Sequence, residues 1–100
     1  MSFEISVNQQ EVLVIVEGKI FVEDAAQLRE KLLELIDQGH RRFIIDMHKA
    51  IYIDSSGLGV LVAIHKRAIE NGGGVVIRGL QGVVKDLFLM TRLNKVFEMD

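Results

Sequence analysis

Apolar and polar residues alternate in FEISV (3–7), as they do in a strand with one wet face. The polar turn NQQE (8–11) separates this stretch from VLVIVEG (12–18), a near-continuous β-branched run of the kind found in strands buried on both faces. So short a link predicts that the two strands form an antiparallel hairpin. The period then changes. In EDAAQLREKLLELIDQG (23–39), Ala25, Leu28, Leu32, Leu35 and Ile36 fall on one helical stripe, Asp24 and Gln27 have capping-box spacing, and Gly39 offers a left-handed stop. RFIIDM (42–47) reads as a strand and AIYI (50–53) as a short extended piece. A second helix is expected to begin at 55 to 57 and to run to about Asn71, with Leu58, Leu61, Val62, His65, Ala68 and Ile69 inward and Val60 and Ile64 on its outer face. NGGG (71–74) ends it. VVIRG (75–79) is a further strand, and QGVVKDLFLMTRL (81–93) a third helix with Val84, Leu87 and Phe88 inward. KVFEM (95–99) closes the chain as a short strand or helical turn.

Strands that alternate with helices pair in parallel through right-handed crossovers. The expected fold class is therefore α/β: a small mixed β-sheet, an N-terminal antiparallel hairpin followed by β-α-β-α-β-α, with helices mainly on one face. The length of 100 residues suits a single domain over 1–100, and a hydrophobic content of 49% argues against disorder. Twelve basic residues against 14 acidic give a formal net charge of -2, which is unlike a surface built for nucleic acid. With no cysteine there is neither disulfide nor thiolate chemistry, which fits a reducing cytoplasm. MSFEISVNQQ lacks a basic start followed by an apolar stretch, so no signal peptide is expected. No apolar run approaches the ~20 residues needed to span a bilayer. A cytoplasmic protein without membrane insertion is expected.

The candidate chemistry lies in IDSSGLGVLV (53–62), where an acid, two serines and two glycines precede a long apolar run. Ser55 or Ser56 can be the N-cap of the second helix, with Gly57 and Gly59 relieving crowding where strand meets helix. A hydrolase elbow would need G-x-S-x-G, but Ile53 and Asp54 stand where the leading glycine belongs. The base is also missing: His65 lies on an apolar stripe, and His40 and His48 sit in or beside loops without a matching carboxylate pattern. GLGVLV (57–62) ends in Val62 where a dinucleotide fingerprint has glycine, and GGG (72–74) lacks the Lys-Ser/Thr of a phosphate-binding loop. No His or carboxylate pair has a familiar metal-ligand spacing. The remaining reading is modification. A phosphate on a hydroxyl at a helix N-terminus meets free N–H groups and the positive end of the dipole, and brings roughly -1.5 to -2 charge beside Asp54.

These residues resemble the D-S-[ST]-G-L-G signature of STAS domains, the sulphate transporter and anti-sigma-factor antagonist family. The resemblance runs through nearly the whole chain, from Gly18 and AAQLREKLLELIDQG through RRFIIDM and the signature to NGGGVVIRGL and VVKDLFLMTRLNKVFEM. It implies a non-enzymatic partner-switching protein, an anti-sigma-factor antagonist. Unphosphorylated, such a protein binds an anti-sigma factor that is a serine kinase, and so releases the sigma factor; phosphorylation breaks the complex and a serine phosphatase resets it. The resemblance implies Ser55 as the phosphorylated residue, and Asp54, Ser56, Gly57, Leu58 and Gly59 as the helix start that meets the partner. It implies no cofactor in this chain, since the ATP belongs to the kinase. One position departs from the family. Where the family has Gly-acid-aliphatic-Asp, this chain has Gly18, Lys19, Ile20 and Phe21. Phe21 is then either a core residue or an exposed anchor for a partner. The alternative role that the resemblance allows is a non-switching accessory subunit of a membrane lipid-transport or signalling assembly.

Overall fold

The computed structural model describes residues 2–100. Among them, β1 (Ser2–Val7), β2 (Val12–Ile20), β3 (Arg42–Ile53), β4 (Gly74–Arg78) and β5 (Glu98–Met99) form one sheet in the order β1-β2-β3-β4-β5. β1 pairs antiparallel to β2, and every later pair is parallel. The crossovers are α1 (Val22–Asp37), α2 (Ser55–Glu70) and α3 (Gly82–Met90), the last followed by a 3-10 turn at Leu93–Lys95. Each parallel step moves one strand further in the same direction. Right-handed crossovers then place all three helices on one side of the sheet.

Burial follows from that topology. Val12, Val14 and Val16 of β2, Phe43, Ile45 and Met47 of β3, and Val75 and Ile77 of β4 lie buried beneath the helices. Their neighbours Leu13, Ile15, Ile44 and Val76 point to the other face and are only half-buried. β2 is thus buried on one face, not both. Its unbroken apolar run hides the distinction, because the outer positions are apolar too. On the helix side, Ala25, Leu28, Leu32, Leu35 and Ile36 of α1 are buried as their spacing requires. α2 differs from expectation. Val60 and Ile64 are buried, Val62 is half-buried and Ile69 is exposed. α2 packs on β3, β4 and α1 at once, so its buried arc is wider than one stripe and is centred on Gly57, Leu61, Ile64 and Ala68.

The third helix is shorter than 81–93. The Thr91 hydroxyl donates to the Leu87 carbonyl at 2.7 Å, and Arg92 turns left-handed with φ 60°, so the helix closes at Met90. This lets Phe97 fold back into the core, where its ring stands 6.0 Å from Phe88 and 5.1 Å from His65. His65 is packed, as expected. Its Nδ1 accepts the Val75 N–H at 3.0 Å. Burial lowers its pKa, and a hydrogen bond with the Val96 backbone opposes that only in part. A ring that accepts at Nδ1 is held neutral. When unfolded it charges below about pH 6.5, so its contribution is complete above that pH and drains as pH falls towards the depressed folded value. Urea melts at stepped pH should show stability falling below about pH 6.5, with that part of the slope absent in His65→Asn, whose amide oxygen replaces the acceptor.

β3 is one strand, where the sequence suggested two pieces. Ile15 faces Asp46 and Glu17 faces Lys49, so β3 uses three residues where β2 uses two; a second extra residue falls between Ala50 and Tyr52. These bulges break the alternation that a pattern reading follows. The first is held by side chains. Asp46 Oδ1 accepts the His48 N–H at 3.0 Å and lies 2.5 Å from His48 Nδ1, while Gln81 Nε2 donates to the His48 carbonyl at 2.6 Å. Burial pushes the Asp46 pKa up, but the hydrogen bonds from His48 and the charges of His48 and Arg78 outweigh it and hold the carboxyl below its ordinary value. The exit of β4 runs against this bulge: a Cβ on Gly79 (φ +76°) would sit 2.9 Å from His48 Cβ and 3.0 Å from the His48 nitrogen. Gly79→Ala should therefore cost roughly 1–3 kcal/mol in denaturant melts, from backbone strain and the clash together.

Candidate functional site

β2 and β3 end side by side. Ile20 faces Ile53 in the parallel register, and the next residue of β3, Asp54, donates its N–H to the Ile20 carbonyl at 3.2 Å. Each strand passes at once into a helix, so the N-termini of α1 and α2 open next to each other at the C-terminal edge of the sheet. In parallel α/β sheets this edge is where ligands and partners are met.

The two helix starts are built differently. Phe21 is the N-cap residue of α1, and its N–H donates to Asp24 Oδ2 at 3.0 Å. Asp24 is therefore the third helical residue reaching back, not the cap, and the helix begins at Val22 rather than at 23. The spacing of Asp24 and Gln27 misled because phenylalanine gives no capping signal in a sequence. At α2 the N-cap is Asp54, whose carboxylate accepts the Gly57 N–H at 3.1 Å. Neither serine caps the helix. Ser55 is its first residue and is exposed; Ser56 is its second and is half-buried. Among the described residues, neither hydroxyl makes a hydrogen bond to protein. The first turn of α1 carries Glu23 and Asp24, whereas the first turn of α2 carries no acid. The dipole and the first N–H groups of α2 are thus offset only by the Asp54 cap.

The two glycines of the stretch have separate parts. A Cβ on Gly57 would lie 2.6 Å from Ile53 Cγ1 and 3.1 Å from Ile20 Cγ2, so the first turn of α2 sits directly on the strand ends. Nothing lies within 4 Å of a Cβ on Gly59, which relieves no crowding. Leu58 is buried and serves as a root of the helix in the core, not as an exposed contact.

Large apolar side chains are exposed on the residues that flank the two helix starts. Phe21 is 47% exposed, Val22 61% and Ile51 62%. The Phe21 ring stacks obliquely on half-buried Tyr52 with centroids 5.9 Å apart. Phe21 is therefore not a core residue. Ile51 is exposed because the second bulge leaves it without a place in the register. Ile51, Val22 and Tyr52 were missed by the sequence reading. Ile51 and Tyr52 lie in a stretch that a pattern treats as plain strand, and only the bulge turns Ile51 outward.

The arrangement does not suit a hydrolase. His48 does have a carboxylate partner in Asp46, contrary to the sequence reading, because the bulge folds it back on its own strand. Roughly 16 Å of strand nevertheless separates that pair from Ile53 and the serines beyond it. The concavity lined by Glu11, Arg42, Gly73 and Gly74 lies at the opposite end of the parallel strands. Among the described residues, no group of three or more His, Asp or Glu could hold a metal ion, and no helix is long and apolar enough to cross a membrane.

The family model for the STAS domain matches residues 2–100. The chain belongs to the STAS-domain family. It is similar to the anti-sigma-B factor antagonist of Bacillus subtilis, with 31% identity over 99 residues that cover 99% of this chain and 90% of the relative. Among solved structures, SpoIIAA of Bacillus in its phosphorylated form matches with a TM-score of 0.81 at 19% identity, covering 99% of this chain and 91% of that one. SpoIIAA in its unphosphorylated form matches with a TM-score of 0.83 at 19% identity, covering 99% and 87%. At such identities these two likenesses concern the STAS fold.

The contrast between the two glycines can be measured. Gly57→Ala should destabilise by roughly 1–3 kcal/mol through overpacking. Gly59→Ala, at an open helical position, should stabilise by up to about 1 kcal/mol. Thermal melts of the two variants beside the parent chain should move in opposite directions.

Proposed function

We propose that this STAS domain is a phosphorylation-switched anti-sigma-factor antagonist. Unphosphorylated, it binds an anti-sigma factor that is also a serine kinase, and the sigma factor goes free. The kinase transfers a phosphoryl group from its own ATP to Ser55 Oγ, the complex parts, and a serine phosphatase restores the first state. The observation that carries this reading is the exposed, unbonded hydroxyl of Ser55 at a helix start that Asp54 already caps. A serine kept for its capping bond would be engaged; this one is available to an enzyme. The Bacillus subtilis relative, similar over nearly the full length of both chains, carries the name of an anti-sigma factor antagonist and supports the same reading.

The partner face would combine Phe21, Val22, Ile51 and Tyr52 with the exposed rim of α2, where Asp54, Ser56 and Gly59 flank Ser55. Gly57 and Leu58 would act beneath it by seating the helix. Aromatic residues that are half exposed in the free protein are favoured anchors once a partner covers them. A dianion arriving at Ser55 would have to lose its water beside that apolar patch, and burying such a charge unpaired costs far more than the patch returns.

Two measurements test the proposal. Intact-mass spectrometry with fragment mapping, on protein from its native cell, should find one phosphate, on Ser55. Binding to the co-purifying kinase should be kept in Ser55→Ala and weakened roughly tenfold or more in Ser55→Asp, and likewise in Phe21→Ala. Equal affinity of Ser55→Ala and Ser55→Asp would remove the switch. A stable complex with a transporter ATPase and no phosphate under any growth condition would favour the accessory-subunit role.

A further inference from the structure

We infer that the free edge of β1 pairs with the same edge of a second copy of this chain, antiparallel and with the two-fold axis at Ile5. β1 ends the sheet, with β2 on one side of it only. The turn fixes which backbone groups face β2. The Asn8 N–H donates to the Glu11 carbonyl at 3.1 Å, so Asn8 and Glu11 are a hydrogen-bonded pair. Bonded and non-bonded pairs alternate along an antiparallel ladder. The register continues as Val7↔Val12, Ser6↔Leu13, Ile5↔Val14, Glu4↔Ile15 and Phe3↔Val16. The N–H and C=O groups of Ser6 and Glu4 therefore turn to β2, and those of Val7, Ile5 and Phe3 turn outward. Among the described residues, no turn or loop bond engages these outward groups. Sheets commonly guard such an edge with lysine, proline or a bulge. SFEISV has no lysine and no proline, its pairing with β2 runs without a shift, and Glu4 is its single charge.

The edge is complementary to itself in one register. With the axis at Ile5, Ile5 meets Ile5 of the second copy, and Phe3 meets Val7. All three outward residues then find partners, which gives about six backbone hydrogen bonds. Glu4 falls opposite Ser6, so no like charges meet. An axis at Glu4 would set the two carboxylates directly against each other and leave Val7 unpaired. An axis at Ser6 would leave Phe3 unpaired. The side chains agree with the first register. Phe3, Ile5 and Val7 share the helix-covered face with Val12, Val14 and Val16, yet Phe3 and Ile5 are only half-buried and Val7 is 48% exposed. Pairing covers these three with their counterparts. Phe3 also lines a shallow groove with Gln27, Glu30, Lys31 and Glu34 of α1, whose rim carries both signs of charge. A two-fold contact of this kind closes on itself and makes a dimer rather than a fibre. The seam is short against the ~800 Å² per partner of a standard interface, so the dimer is weak.

The test takes the full chain through a concentration series, with sedimentation equilibrium and amide hydrogen exchange read residue by residue. A monomer–dimer equilibrium should appear between roughly 10 μM and 1 mM. Across it the Phe3, Ile5 and Val7 amides should slow roughly tenfold or more, while those of Glu4 and Ser6, bonded to β2, are slow throughout. Ile5→Pro removes one outward N–H at an edge position where proline is tolerated, and should raise the dimer Kd roughly tenfold or more. The register is read by cross-linking, since the chain has no cysteine of its own. Glu4→Cys combined with Ser6→Cys places thiols about 4.5 Å apart by Cα and should oxidise to a covalent dimer. Glu4→Cys alone leaves the two thiols on a diagonal of about 7–8 Å and should not. A chain that stays monomeric at 1 mM leaves the edge to a strand of some other protein and overturns the inference. So does a dimer whose Phe3, Ile5 and Val7 amides exchange as fast as in the monomer, or one that Glu4→Cys alone cross-links as readily as the double variant. The exchange measurement needs no substitution, so it decides even where Ile5→Pro fails to fold.

Discussion

The hydrogen bond from the Asp54 N–H to the Ile20 carbonyl joins the ends of two parallel strands, and the rest of the molecule is arranged around that junction. It brings the starts of α1 and α2 to one place. Gly57 then lets α2 rest on Ile53 and Ile20 without a side chain between them. The buried arc of α2 meets the sheet and α1 together, and His65 near its far end ties it to β4 and to the returning C-terminal segment. A shift of the junction by one residue would turn Ile53 and Ile20 out of the core. It would also move Ser55 off the first position of the helix.

Much of this was legible in the sequence, because most positions obey one period. The α1 stripe, the left-handed Gly39, the hairpin and the order of strands and helices all follow from local patterning, and the STAS signature adds a candidate site. The failures have a shared cause. Each lies where a tertiary demand overrides local pattern. The two bulges of β3 break the alternation at His48 and Ile51, and the first is held because Asp46 and Gln81, a neighbour in sequence and a distant residue, satisfy the backbone groups of His48. α2 buries Val60 and Ile64 because a second helix lies against it, which no single-helix stripe can reveal. The α1 cap was missed because a phenylalanine occupies the position and only the return bond from its N–H to Asp24 marks it.

The position of Phe21 shows how a site can be only half readable. Its place in the signature loop could be seen, but its exposure could not. The exposure comes from the chain leaving β2 at Ile20, a fully buried residue, and turning at once into α1. One residue of extended backbone between a core strand and a helix has no room to bury a large ring. Phe21 therefore leans on Tyr52, and the pair lies at the surface.

The same geometry explains why a charge could act here without refolding the protein. Ser55 contributes no hydrogen bond to the fold, and the capping of α2 is complete without it. Adding a phosphate removes nothing that holds the helix, and the positive end of the dipole favours it. What changes is the surface. Phe21, Val22 and Ile51 gain from leaving water against a partner, while a dianion beside them gains from keeping it. With these opposed preferences a few residues apart, one covalent change at Ser55 would, on the proposed function, decide between bound and free.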